Sequence, residues 1–298
     1  MTSQTVIQAR EAEHCHSIGD PPTPTHVKAA LTAYMLGSDP SERARLHQQA
    51  ADLLPHARAL LDHVALPAGG RALDLGCGPC GVLELLAERV GPGGQVIGLD
   101  CNPIHVALAR TFAHEQGLAN VEVVEGDARL TALSPATFDL VHARLLLVNI
   151  PGPQEVVAEM VRLARPGGWV VGLEGDLTAV CYPAHPASDR LYEIISATYR
   201  ADGADVHIGR RLPELWRAAG LEEVGVEARA DVYPAGHPRR TIMLDLVRSM
   251  RAKILERGLA GERELDEVMG AVRDHLADPR TLVMPHLSFL VWGRKPPA

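Results

Sequence analysis

The sequence predicts an α/β fold built on a doubly wound, mostly parallel sheet of seven strands. Three observations carry this. Between residues 71 and 176, strand-like apolar runs alternate with amphipathic helical runs, the pattern of a parallel sheet covered by helices. The first run, RALDL at 71–75, passes through the glycine turn Gly76-x-Gly78-x-x-Gly81 into VLELLAERV, which reads as a helix. Asp74, Asp100 and Asp127 stand at three successive strand ends, and an open α/β sheet gathers such ends at one crevice.

Composition sets the outer bounds. The 298 residues suffice for one large domain or two small ones, and 46% hydrophobic with 22% charged residues suits a full apolar core. A formal net charge of −8 disfavours nucleic acid as the main partner, because phosphate binding needs a basic face. No basic start followed by an apolar run marks a signal peptide, and no apolar stretch spans a bilayer, so a cytoplasmic protein without a membrane partner is expected. The cysteines, Cys15, Cys77, Cys80, Cys101 and Cys181, are odd in number and scattered, against a disulfide framework. Cys77-x-x-Cys80 has the spacing of a redox or zinc half-site, but no second pair accompanies it. Both cysteines read as small residues in a tight turn, and no metal site is expected.

In chain order, residues 1–25 read as a polar tail closed by Pro21, Pro22 and Pro24. Residues 26–66 read as helical. Val27 to Leu36 forms a short helix, and Asp39-Pro40-Ser41-Glu42 opens a new one, with Asp39 as N-cap and Pro40 at the first helical position. Residues 67–176 hold the alternating core. QVIGLD ends a second strand at Asp100, and Asn102-Pro103 starts a helix whose Ile104, Leu108 and Phe112 would share an inner face. NVEVVEGDA gives a third strand and FDLVHAR a fourth. PQEVVAEMVRLA is a helix, and a turn at Pro166-Gly167-Gly168 precedes the fifth strand. Residues 177–298 hold the rest of the sheet with inserted helices. AVCYPAHPAS reads as a loop. Helices follow at DRLYEIISATYR and GRRLPELW, then a strand and two helices, the first over 239–256 with Ile242, Leu246, Met250 and Ile254 inward. SFLVWG makes the last strand.

The glycine turn alone also suits a dinucleotide site. Asp74 argues otherwise, since its carboxylate beside the turn would repel a pyrophosphate and attract a cationic ligand. LDLGCGPCG resembles the first motif of class I S-adenosylmethionine-dependent methyltransferases. The resemblance spans about residues 28–294 as a pattern and is most specific over 71–128. It implies a Rossmann-like methyltransferase core with S-adenosyl-L-methionine as cofactor. The implied cofactor residues are Asp74, Gly76, Cys77 and Gly78 at the first motif, Asp100 and Cys101 at the ribose, Asp127 and Ala128 at the adenine, and Arg144, at the end of the fourth strand, for the cofactor's carboxylate or else a substrate anion. Tyr34, Arg45 and Gln49 match an N-terminal segment that folds over the cofactor in small-molecule members, so 26–66 is the implied lid. Arg45 and Gln49 read equally as solvated residues of an amphipathic helix.

His142-Ala143-Arg144 stands where methyltransferases of planar amines carry Asn/Asp-Pro-Pro-aromatic, against nucleic-acid amine methylation. The text looks most like small-molecule methyltransferases of bacterial secondary or quinone metabolism, acting on an oxygen, nitrogen or carbon nucleophile. His142, Asp176 and His185 are the candidate substrate-pocket residues. Candidate bases are His142 and His185, then His207, His237 and His286, with none assigned as catalytic. No Gly-x-Ser-x-Gly elbow supports serine hydrolysis. A non-methylating cyclase or binding module on the same fold is the alternative, a nicotinamide-dependent oxidoreductase a second, and a homodimer is compatible with the sequence. As a strand-end acid in an open crevice, Asp100 is expected to contribute little to stability.

Overall fold

The computed structural model describes residues 40–178 and 180–298. Two helices lead in, α1 (Pro40–Asp52) and α2 (Leu54–Asp62). Pro55, in the first turn of α2, lacks the N–H that would carry α1 onward. Then come β1 (Arg71–Leu75), α3 (Leu83–Val90), β2 (Gln95–Asp100), α4 (Pro103–Glu115), β3 (Val121–Glu125), β4 (Phe138–Arg144), α5 (Pro153–Leu163) and β5 (Ala164–Asp176). The second half adds β6 (Val180–Tyr182), α6 (Pro186–Ala201), α7 (Ile208–Ala218), β7 (Glu222–Ala230), α8 (Ile242–Glu256), α9 (Glu262–Ala277), β8 (Leu282–Met284) and β9 (Leu287–Arg294).

Seven strands form one sheet in the order β3-β2-β1-β4-β5-β9-β7. β1 to β5 are parallel, and β9 enters antiparallel between β5 and β7. The chain winds outward from β1 through β2 to β3, then returns with β4 on the other side of β1. Such a reversal leaves a crevice at the carboxyl ends of the strands.

Alternation along each strand feeds two layers. Ala72 and Leu140, in register on β1 and β4, join Leu60 of α2, Leu86 of α3 and Ala109 of α4 in one core. Leu73 and Val141, one residue on, face Met160 of α5 and Leu212 and Trp216 of α7. Trp216 is fully buried, and its indole N–H donates to the Val170 carbonyl at 3.0 Å. A third core, away from the sheet, joins α6, α8 and α9 through Leu191, Ile195, Val247, Leu265 and Met269. Among the described residues no helix is long and apolar enough to cross a membrane.

The structure departs from the expected elements in four places. On α4 the buried residues are His105, Val106, Ala109 and Ala113, whereas Ile104 is exposed and Leu108 and Phe112 only partly covered. Small residues let α4 lie close to the sheet, and His105 turns inward toward Asp100, 3.6 Å away. Residues 166–168 do not precede β5 but form an irregular stretch within it, where the β4–β5 register shifts and Gly167 adopts φ +75°. The stretch read as a loop after 177 contains β6, which pairs antiparallel with β8. α8 begins at Ile242, after a 3₁₀ turn over Pro238–Thr241, and buries Met243, Leu244, Val247, Met250 and Ile254. The helix expected over 27–36 and the Asp39 cap lie outside the described residues.

Candidate functional site

The turn after β1 is built so that one glycine stays bare. Gly76, Gly78 and Gly81 all have positive φ (+67°, +58° and +43°), which only glycine adopts without strain. A Cβ at Gly76 would fall 2.7 Å from Leu146, and one at Gly81 would fall 2.4 Å from the Cys77 carbonyl and 2.7 Å from Asp74 Oδ2. A Cβ at Gly78 would meet nothing within 4 Å. Two of the glycines are thus demanded by close packing, and the third faces open space. The turn is pinned to β2, because the N–H groups of Gly76 and Cys77 both donate to the Leu99 carbonyl, at 2.7 and 3.0 Å.

Asp100, at the end of β2, accepts from Gly78 N–H at 2.9 Å through one oxygen and from Asn102 N–H at 2.9 Å through the other. It is 8% exposed and ties the turn to the start of α4, rather than standing free in an open crevice as expected. Asp127 accepts from the Arg129 backbone N–H at 2.9 Å and from its Nη2 at 2.6 Å. Cys101 lies between these acids, and burial followed by the two carboxylates raises its pKa to about 11. Ala128 is buried beside Asp127.

Asp74 and His142 are register partners on adjacent parallel strands, so their side chains emerge on one face, where His142 Nδ1 lies 2.7 Å from Asp74 Oδ1. His142 sits inside β4, is fully buried, and is not among the residues that line the crevice. The substrate-pocket role expected for it is therefore corrected: it stands behind Asp74. Arg144, two residues on, donates through Nη2 to the Gly81 carbonyl at 3.1 Å, while its buried Nη1 has no hydrogen-bond partner among the described residues. Burial lowers the Arg144 pKa, Asp74 and Cys80 oppose that, and the nearby Arg239 guanidinium lowers it further. Burial pushes the Cys77 thiol well up and the Cys80 thiol up, with Asp74 adding to both, so they stay protonated in the turn. Among the described residues no cluster could hold a metal ion.

These residues form one wall of a cavity of about 250 Å³. Asp74, Cys77, Asp100, Cys101, Asp127 and Arg144 all line it, with Leu46, Gln49 and Ala50 of α1 beside them. The opposite wall is apolar, from Ile195 of α6 and Ile242, Met243 and Leu246 of α8. Ile242 and Leu246, expected in a helix core, line this space while also packing against the third core. Tyr34 lies outside the described residues, as does the side chain of Arg45.

Asp176 also lines the cavity, but its carboxylate is fully engaged. It accepts from Arg210 Nε and Nη2 (2.6 Å for Nη2), from Thr178 Oγ1 at 2.5 Å, and meets His207 Nδ1 at 3.2 Å. Burial raises its pKa, but these bonds outweigh burial and hold it low. His185 does not reach the cavity, correcting its expected place there: it caps α6 by accepting from Ala187 N–H at 3.2 Å, and stacks on His275. His237 caps the 3₁₀ turn in the same way, by accepting from Arg239 N–H. Of the five candidate bases only His286 lines the cavity, and burial and the Arg239 charge lower its pKa to about 4.

Two site residues carry no local sequence signal. Glu174, fully buried in β5, accepts backbone N–H bonds from Leu146 (2.9 Å), Leu147 (2.8 Å) and Val148 (3.3 Å) and so holds the loop after β4, where Leu145 adopts φ +50°. Burial raises its pKa to about 7 against the pull of those donors. Arg239, 3% exposed, lines the cavity between its polar and apolar walls. Both would read in the sequence as ordinary surface charges, since only contacts distant along the chain bury them.

Residues 66–201 match a family model described as a methyltransferase domain. The chain is 42% identical over 121 residues to nocamycin O-methyltransferase of Saccharothrix syringae, covering 41% of this chain and 43% of that protein. It is 40% identical over 106 residues to demethylmenaquinone methyltransferase of Geobacillus sp. (strain WCH70), covering 36% and 45%. The matched stretch thus spans less than half the length of either relative. The solved structure of the [4+2]-cyclase SpnF aligns with a TM-score of 0.52 over 84% of each chain at 24% identity, a likeness of fold alone.

Proposed function

Because residues 66–201 match a methyltransferase-domain model, we propose that this protein is a class I S-adenosylmethionine-dependent methyltransferase that transfers the methyl group to a small-molecule acceptor. One observation carries the reading most: the bare face of Gly78 and the acids beside it open directly onto the apolar compartment of α6 and α8.

The residues suit the cofactor. A carboxylate has about four lone-pair positions, and Asp100 gives two to backbone N–H groups, which leaves acceptors for ribose hydroxyls. Asp74 suits the ammonium group, and the open Nη1 of Arg144 suits the carboxylate of the methionine end. Asp127 and Ala128 suit the adenine, and Gln49 of α1 lines the same cavity. Bound, the cofactor supplies an electrophilic methyl on a sulfonium sulfur. The chain's part is to hold an acceptor against the apolar wall in line with that methyl and to exclude water, so that proximity and orientation carry the rate. His286 is neutral at pH 7 and a weak proton acceptor, so the site favours acceptors already deprotonated or without a proton to lose. The two curated relatives support an acceptor from secondary or quinone metabolism.

Calorimetric titration with S-adenosyl-L-methionine and with NAD tests the cofactor assignment. Binding of the first alone is expected, and binding of NAD alone would sink it. Incubation with cofactor and fractionated bacterial extract, followed for S-adenosylhomocysteine, then tests transfer. Conversion of a metabolite without S-adenosylhomocysteine would instead establish a cyclase-type activity on this fold.

A further inference from the structure

Two neighbouring arginines, equally buried, have opposite hydrogen-bond states. Arg240 is 4% exposed and donates to the carbonyls of Leu276, Tyr233, Asp278 and Thr281 at 2.7–3.1 Å. That is a structural arginine with its fork filled. Arg239 is 3% exposed, yet among the described residues its Nε and Nη1 have no hydrogen-bond partner. Its Nη2 reaches His286 Nε2 at 3.4 Å, and the guanidinium lies 5.8 Å from the centre of the Tyr233 ring. Asp52 Oδ2 lies 3.8 Å from Nη1, an ion pair beyond hydrogen-bond reach, and that oxygen has no hydrogen bond among the described residues. Leaving a buried donor unmatched costs about 1–3 kcal/mol, and more when it is charged.

The surroundings say what is missing. Arg239 lines the cavity directly before the apolar wall of Ile242, Met243 and Leu246. His286 accepts from Arg239 and is held neutral, so it supplies no counter-charge. Arg144 also lines the cavity with a buried Nη1 unpaired among the described residues, close enough that the two guanidinium groups repel. The cofactor carries one carboxylate, and Arg144, beside Asp74 and the glycine turn, is the arginine placed for it. Arg239, which lines the cavity together with Ile242 and Met243, then keeps two buried nitrogens unmatched among the described residues, donors for a second anion.

We propose that the acceptor is a carboxylate-bearing apolar molecule whose carboxylate is seated on Arg239, and that Arg239 sets specificity for acidic substrates. The proposal rests on the reading that acceptors enter this cavity. A carboxylate bound to guanidinium has its lone pairs engaged and is a poor nucleophile, so this charge is a handle and the methyl goes to another atom of the acceptor.

The test uses 1-naphthoate and its neutral isostere 1-naphthamide as probes, titrated calorimetrically into the full chain with and without saturating S-adenosylhomocysteine. Naphthoate is expected to bind at least about tenfold more tightly, the scale of one charge-assisted contact. Arg239→Gln should remove the preference and leave S-adenosylhomocysteine affinity within about twofold of the parent, and Arg239→Lys, which keeps the charge but loses the fork, should give an intermediate preference. Asp52→Asn should keep or increase the preference, because it removes the competing carboxylate. Equal binding of the two probes, a preference that survives Arg239→Gln, or an Asp52→Asn variant that loses it would overturn the proposal; the last would make Arg239 a partner of α1 alone. A loss of S-adenosylhomocysteine binding in Arg239→Gln would likewise reassign the residue to the cofactor. A chain that refuses S-adenosylhomocysteine but keeps an Arg239-dependent preference fails the cofactor reading and not this one.

Discussion

Asp100 carries two tasks with one carboxylate. It fixes the glycine turn through Gly78 N–H and the start of α4 through Asn102 N–H, and it offers its remaining lone pairs to the cavity. Asp100→Ala is expected to weaken S-adenosylmethionine binding by at least about tenfold, because charge-assisted bonds are worth roughly 1.5–3 kcal/mol each. It should also lower stability by about 1–3 kcal/mol through the two orphaned N–H groups. Asp100→Asn should lose less of both. Asp139 is the control: it accepts from Arg71 N–H at 2.8 Å, does not line the cavity, and Asp139→Ala should keep full affinity. Calorimetry and denaturant melts of the three variants separate binding from folding. Glu174 supplies a pH test. Its folded pKa, about 7, lies above its ordinary 4.5. The folded state therefore holds the proton more tightly, and its contribution is complete below pH 4.5 and lost as the pH rises through 7. The stability of the parent relative to Glu174→Gln is expected to fall between pH 5 and pH 8, measured by urea melts at both. A constant difference would show that the loop donors keep this carboxylate at its ordinary pKa.

At the scale of elements, the site joins a rigid strand-end wall to helices that arrive from both ends of the chain. α1 brings Leu46, Gln49 and Ala50 to the cavity, so removing residues 1–50 is expected to weaken cofactor binding by roughly tenfold relative to removing residues 1–24. Equal affinities for two folded truncations would take α1 out of the site. The strand β1, its glycine turn and the Asn102 cap of α4 were legible because each rests on local chemistry: φ angles open to glycine, and a side-chain oxygen two residues from the N–H it accepts. The inner face of α4 was not legible. Ile104, Leu108 and Phe112 make a regular apolar stripe, but close approach to the sheet selected the smaller Ala109 and Ala113. The pairing of β6 with β8 was also invisible, because the partners lie about a hundred residues apart and each is only three residues long.

For the whole molecule, two layers of core fix the sheet, and the third core, in α6, α8 and α9, holds the apolar wall against it. A ligand bridging these parts should stabilise them together. S-adenosylhomocysteine at a hundred times its dissociation constant is expected to add about 2.7 kcal/mol, which raises the melting temperature by roughly 4 °C in a chain of this size. An unchanged melting curve at that saturation would count against a cofactor bound only by the folded state. By itself the sequence determined the α/β alternation, the glycine turn and the three acids at successive strand ends, because these depend on backbone freedom and side-chain period over a few residues. The tertiary structure alone decided which polar side chains meet the cavity. Strand register put His142 behind Asp74, a capping bond turned His185 toward its own helix, and Glu174 was spent on the loop after β4. Arg239 and His286, 47 residues apart, came together at the cavity. Where such a side chain points follows from register and helix rotation, and those are settled by packing between segments far apart in the chain.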